Sequence, residues 1–388
     1  MTRRVTAVVL LSLVALAACG GSDGTTSSTT PSIGTDTPSF SGDVPDTGAD
    51  VVTGQPFPAH RCDANKAAGT ITYLSSFDFA ATASIVEVLV AEDAGYFDDL
   101  CLDVEVKASF STANYPLLAA NEAQFSSAGS FSEVVDYAIA NEAQFVTLAV
   151  EGKTGIDALV LKPGTAAQLS DLQGTTIGVK GKITPSVAAM LLKAGLQEGT
   201  DYTTVLLDGF NPEAHIAVPN IVGFPGYKSN EPLQLDAAGI PFDLFDPAED
   251  GIPGSFGILY TNGQFLAEHP TAAQDFIRAA MRGLADAVAD PKAAAEVALG
   301  YINANGNAMF LSPDGETARW AVEAKLVTDT NAATALGIPE PDQLANEVDT
   351  YARIGLFGGT APDISPYVHT DLIDGVYAAD RTVIWPKG

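Results

Sequence analysis

What most constrains this chain is an alternation. Between residues 70 and 260, short runs rich in β-branched and aromatic residues take turns with Ala-rich stretches of helical period. The run TITYLS at 70–75 precedes an apolar stripe of Ile85, Val86, Leu89 and Val90 within 80–94, which Gly95 stops. LDVEV at 102–106 then alternates as a strand does. Helical patterns at 117–121 and 132–140 are interleaved with extended runs at 123–127 and 145–149. A second series follows, with strands at 158–161, 176–179, 204–207, 221–224 and 242–245 and helices at 185–194 and 231–238. After a strand at 256–260 the pattern turns helical. His269-Pro270 precedes a long amphipathic helix to 289, Pro291 opens another, and further helices fall at 316–327 and 343–354. Such alternation predicts an α/β fold with mostly parallel sheets covered on both faces. The two series predict two lobes: 59–155 plus 255–388, carrying the C-terminal helices as a cap, and 156–254. The hexapeptide Ala-Asn-Glu-Ala-Gln-Phe occurs at 120–125 and again at 140–145, which reads as reuse of a good helix-to-strand turn.

The first 58 residues follow a different rule. Arg3 and Arg4 precede an apolar stretch that ends Leu16-Ala17-Ala18-Cys19. That stretch, about a dozen residues, is too short to span a bilayer as a helix. A basic start, a short apolar core and small residues at its end describe a secretory signal peptide over 1–18. The ending is similar to a bacterial lipobox, which makes Cys19 the expected lipidation site and the membrane a partner through acyl chains; the alternative is an uncleaved anchor or a buried N-terminal helix. Residues 19–58 are Gly-, Ser-, Thr- and Pro-rich and acidic, as expected of a flexible tether. An extracytoplasmic, lipid-anchored location follows, where disulfides persist. With Cys19 acylated, Cys62 and Cys101 remain and are expected to pair; two buried free thiols are the alternative.

Charge and motifs remove several function classes. The chain carries 48 Asp and Glu against 19 Lys and Arg in 388 residues, a net charge of −29 that argues against nucleic-acid binding. Gly20-Gly21-Ser22-Asp23-Gly24 matches G-x-S-x-G formally, but no strand or helix flanks it. Gly181-Lys182 is followed by Ile183, so there is no Walker A loop, and no HExxH occurs. No catalytic residue, metal or cofactor is expected.

Binding chemistry is better supported, because ligands of open α/β sheets sit on loops beyond the carboxyl ends of strands. The turn after the first strand offers Phe77, Asp78 and Phe79, which could stack on a flat ring and accept its hydrogen bonds, or serve as core residues around a helix cap. Asn114 and Tyr115 open a helix, and so do Ser127 and Ser130, with capping as the alternative role. In the second lobe Lys180 and Lys182 could hold an anion. Tyr227, Asn230 and Glu231 combine a ring, an amide and an acceptor; Asn230 and Glu231 could equally serve their helix's N-terminus.

Three stretches carry a family likeness. Ala91-Glu92-Asp93-Ala94-Gly95-Tyr96-Phe97, followed by Leu102-Asp103-Val104-Glu105, resembles the AxxxGYF…GLDVE segment of NMT1/THI5-like substrate-binding proteins of ABC importers. Residues 171–179, DLQGTTIGV, resemble that family's DLKGKxIGV, and Ser229-Asn230-Glu231-Pro232 its NEP turn. The resemblance implies a type II periplasmic-binding-protein fold, two hinged lobes closing on one small ligand, and delivery to an ABC permease and its ATPase by a monomer. It implies polar recognition by Glu231 and Asn230, stacking by Phe77, Phe79 or Tyr227, and a thiamine-pyrimidine precursor as ligand. Riboflavin, nitrate or alkanesulfonate are alternatives within the class. An extracytoplasmic enzyme on the same fold is the alternative outside it.

Overall fold

A computed structural model describes residues 51–306 and 311–387. The expected signal peptide, Cys19 and most of the expected tether lie outside the described residues. Its last part, 51–58, lies along the body: Val51 is buried, the Gly54 N–H donates to the Trp385 carbonyl at 3.0 Å, and Pro56 bridges to Lys387.

Ten strands form two sheets of five. The first holds β1 (Thr70–Leu74), β2 (Asp103–Lys107), β3 (Phe125–Ala128), β4 (Phe145–Gly152) and β10 (Phe256–Asn262), in the order β2-β1-β3-β10-β4. The second holds β5 (Asp157–Leu161), β6 (Thr176–Val179), β7 (Thr203–Leu206), β8 (Gly223–Tyr227) and β9 (Asp243–Phe245), in the order β7-β6-β8-β5-β9. The chain therefore passes between sheets at β4–β5 and returns at β9–β10. These crossings correct the expectation of mostly parallel sheets. β10 runs antiparallel to both β3 and β4, and β5 antiparallel to both β8 and β9. A strand arriving from the other lobe enters from the opposite end, so only the local βα units, such as β1 with β2 and β6 with β7, are parallel.

Helices begin where the sequence supplies a suitable first residue. Pro opens the helices Pro185–Lys193, Pro212–Ile216, Pro270–Ala289, Pro291–Asn305, Pro313–Thr330 and Pro341–Ala352, where its fixed φ fits and its missing N–H costs nothing. The helix expected over 80–94 is shorter, Val86–Asp93, because 80–85 forms turns with Ser84 at φ 66°. The one expected at 117–121 is instead Ser111–Ala119, with Pro116 inside it.

The long helix Pro270–Ala289 organises the first core. Phe276 stacks on Phe125 and Phe97 with ring centroids 3.9 and 5.0 Å away. Gly283 lets the helix Val86–Asp93 approach, since a Cβ there would stand 2.1 Å from the Glu87 carbonyl oxygen. The helix Ala59–Ala67 is pinned to this axis by Arg61, whose Nε donates to Asp275 at 2.7 Å, and by a disulfide between Cys62 and Cys101. The second core gathers Leu159, Leu161, Ile177, Met190 and Tyr202.

Candidate ligand-binding cleft

Between the two sheets lies a cleft of about 630 Å³. The first lobe lines it with the loop after β1 (Ser76, Phe77, Thr82), the helix Ser111–Ala119 (Ser111, Thr112, Tyr115) and the start of the helix Phe131–Asn141 (Glu133, Asp136, Tyr137). The second lobe contributes Asp157, Lys180, Lys182, Thr184, Phe210, Tyr227, Asn230 and Glu231, while Phe256 comes from the returning strand. Each loop follows a strand end, the position at which sheet hydrogen bonding stops and side chains can turn inward.

Aromatic rings dominate the walls. Tyr115 stacks on Tyr137 at 4.6 Å, and Phe77 makes edge contacts at 5.6 Å with both Phe110 and Phe210. The Phe77–Phe210 contact joins the lobes. Cations flank these rings: Lys180 Nζ lies 5.4 Å from the Phe210 centroid, and the Arg319 guanidinium 5.9 Å from that of Phe77.

Each cation already has an anionic neighbour. Lys180 donates to one oxygen of Glu231, whose other oxygen accepts the Tyr227 N–H at 2.8 Å. Burial would raise the Glu231 carboxyl, but the Lys180 charge and these hydrogen bonds outweigh it and hold it below the ordinary range. Arg319 donates to Glu316 at 3.2 Å and to Asn230 Oδ1 at 2.6 Å. At the other end, burial chiefly, helped by Asp157, pushes Glu133 up to about 7 against the opposing charge of Lys182. Burial likewise raises Asp157 to about 6, against a hydrogen bond from Ser186 at 2.6 Å.

Of the residues singled out in sequence, Phe77, Tyr115, Lys182, Tyr227, Asn230 and Glu231 line the cleft. Five others are placed elsewhere. Asp78 adopts φ 48°, folds its carboxylate onto the Phe79 N–H at 2.8 Å and is buried. Phe79 packs in the core against Tyr301. Asn114 is fully buried and donates to the Ser75 carbonyl and to Ser126 Oγ, fastening its helix to β1 and β3. Ser127 Oγ accepts the Ser76 N–H at 2.6 Å. Ser130 caps the helix Phe131–Asn141 and borders a separate recess of about 40 Å³. Small polar groups beside strand ends are thus drawn into loop fastening, because the backbone there has unpaired groups to satisfy.

Sequence reasoning missed Phe210, Glu133, Tyr137, Arg319 and Glu323. Phe210 follows β7 in Asp208-Gly209-Phe210-Asn211, a loop beyond a strand end like those that were read. Arg319 and Glu323 arrive on the helix Pro313–Thr330 by tertiary packing, and nothing local marks them.

A two-lobed α/β body with an aromatic cleft between the lobes is the architecture of the periplasmic-binding-protein fold. Residues 82–294 match the family NMT1/THI5 like, and the chain belongs to that family. A riboflavin-binding protein, RibY, from Chloroflexus aurantiacus is 33% identical over 144 residues, 35% of this chain and 39% of that protein's length. Among solved structures, the nitrate-binding protein NrtA of Synechocystis aligns with a TM-score of 0.56 at 12% identity, over 79% of this chain and 87% of that one. The aliphatic sulphonate-binding protein SsuA of Escherichia coli aligns at 0.55 and 10% identity, over 73% and 85%. The desulfurization enzyme DSZB shares the fold at 0.55 and 12% identity, over 79% and 97%, so the fold itself also carries catalysis. These neighbours fix the fold; family membership connects the chain to solute-binding components of ABC import. Among the described residues no helix is long and apolar enough to cross a membrane.

Proposed function

We propose that this chain is the solute receptor of an ABC importer, anchored outside the cytoplasm through Cys19, and that its ligand is a flat, nitrogen-rich heteroaromatic of flavin size. The observation that carries this reading is the cleft: about 630 Å³, within the range of small-molecule sites, walled by Phe77, Tyr115, Tyr137, Phe210, Tyr227 and Phe256 from both lobes. Rings of this kind supply contact area to a planar solute, and polar groups at each end fix its orientation.

The single ring of a thiamine-pyrimidine precursor would leave much of that space unfilled, whereas a three-ring flavin fits its extent. The likeness to the Chloroflexus riboflavin-binding protein favours the same choice. Nitrate or an alkanesulfonate would need an available cation, yet Lys180 pairs with Glu231, Arg319 with Glu316, and Lys182 faces Glu133.

Titration of the purified chain into riboflavin, followed by flavin fluorescence, tests the reading. Binding should be saturable, and riboflavin at about 100 times its Kd should add about 2.7 kcal/mol to unfolding stability. Stabilisation by an aminopyrimidine but not riboflavin would return the choice to the smaller ring. A response to alkanesulfonate alone would reject ring stacking, and consumption of bound flavin would make the chain an enzyme.

A further inference from the structure

The helix Pro313–Thr330 packs with the first lobe yet holds both. On the first-lobe side, Glu316 accepts the Ala81 N–H at 2.8 Å, and one oxygen of Glu323 accepts Thr82 Oγ1 and the Ala83 N–H at 2.6 and 2.8 Å. On the second-lobe side, Ser229 Oγ donates to the other oxygen of Glu323 at 2.6 Å. One turn earlier, Arg319, steadied by Glu316, donates to Asn230 Oδ1 at 2.6 Å. Glu316 and Glu323 are each 1% exposed, and Ser229 is fully buried.

We propose that this helix latches the closed form of the receptor, with Ser229 and Asn230 as the groups it catches. Among the described residues the two sheets are joined at β4–β5 and β9–β10, and the segment 351–357 also packs against the second core. Separation about those crossings must break Ser229–Glu323 and Arg319–Asn230, while the bonds from Ala81, Thr82 and Ala83 stay within the first lobe. These two hydrogen bonds thus differ between the two states, as does the Phe77–Phe210 ring contact, and a closure mechanism requires such differences. Both hydrogen bonds are charge-assisted, so they are stronger than neutral hydrogen bonds. A ligand that binds only the closed form has an apparent affinity reduced by the closed fraction, so the latch sets affinity through that fraction. Ser229 does not line the cleft, which separates this role from direct recognition. The latch does not depend on which solute is bound.

Single-molecule energy transfer tests it, with dyes placed through unnatural amino acids at positions 107 and 236, both exposed, one on each lobe. In ligand-free protein, Ser229→Ala should move the distance distribution outward, with the closed-to-open ratio falling about tenfold for one charge-assisted hydrogen bond. Arg319→Gln should shift it in the same direction. Adding Ser229→Ala to Glu323→Ala should move it no further than Glu323→Ala alone, because the alanine already leaves Ser229 Oγ without this acceptor. Riboflavin affinity should fall in Ser229→Ala by the same factor as the closed fraction. An unchanged distance distribution in both Ser229→Ala and Arg319→Gln overturns the latch, as does an affinity loss in Ser229→Ala with distances unmoved. Because the distance measurement needs no ligand, failure of riboflavin to bind would count against the flavin reading alone.

Discussion

Lys180 and Glu231 show how a residue can belong to a cleft without being free for the ligand. Glu231 is 3% exposed, and its two oxygens are occupied by the Lys180 ammonium and the Tyr227 N–H. Gly226 is required beside it, since a Cβ there would stand 2.9 Å from the Glu231 carboxyl carbon. Glu231 thus has a positioning role beside any acceptance from a ligand ring: it holds Lys180 over Phe210. Glu231→Gln keeps the shape and can still accept from Tyr227, but leaves Lys180 a neutral partner. We expect a loss of about 1–2 kcal/mol in denaturant unfolding, below the figure for fully buried pairs because the lysine is 25% exposed. The double variant Lys180→Met with Glu231→Gln should recover most of that loss. If the single losses simply add, the pairing is not what Glu231 contributes.

At the scale of elements, the disulfide offers the clearest test. Cys62 on the helix Ala59–Ala67 and Cys101 before β2 close a loop with a sequence separation of 39 residues. Replacing both by Ala should lower stability by about 3–4 kcal/mol, the loop-entropy expectation for that length, with the same shift on reduction of the native chain. A pair of variants with unchanged melting would mean that the buried Arg61–Asp275 contact alone holds the helix. Elements were legible where local signals agreed. β6 at Thr176–Val179 was read to the residue because a β-branched run sits between Gly174 and Gly181. β8, Gly-Phe-Pro-Gly-Tyr, was displaced because its composition imitates a turn; Gly223 is there because a Cβ would stand 2.0 Å from the Val160 carbonyl oxygen, a constraint visible only in three dimensions. The repeated hexapeptide marks the limit of local reading. Its first copy turns left-handed at Asn121, its second one position later at Glu142, so tertiary setting chooses the turn. In the site, Lys182 was legible as a loop residue beyond a strand end, whereas Tyr227 is the last residue of β8. Arg319 was not, since its partner Asn230 is 89 residues away.

At the scale of the whole molecule, buried acids tie stability to pH. Glu87 and Glu151 are both fully buried in the first lobe, and the charge of one disfavours ionisation of the other. Burial is the main cause of the rise of Glu87 to about 8, and Glu323 adds to it. Glu151 is also raised, first by burial and then by Glu87. With Glu133 near 7 and Asp157 near 6, four acids hold protons more tightly folded than unfolded. In this window the native state binds more protons, so unfolding free energy falls as pH rises. The contribution of each group is fully present below its unfolded value near 4 and is lost by the time pH passes its folded value. One such group contributes a slope of at most about 1.4 kcal/mol per pH unit. Guanidinium unfolding at pH 5.5, 6.5, 7.5 and 8.5 (roughly spanning these values) should show the chain losing stability across the series. Glu87→Gln substitutes an amide that can donate to Glu151 without titrating, so its curve should be flatter than the wild type between about pH 5 and 8. A wild-type curve that climbs over that range would mean that these acids are ionised in the folded protein, and their raised hold on protons would have to be abandoned.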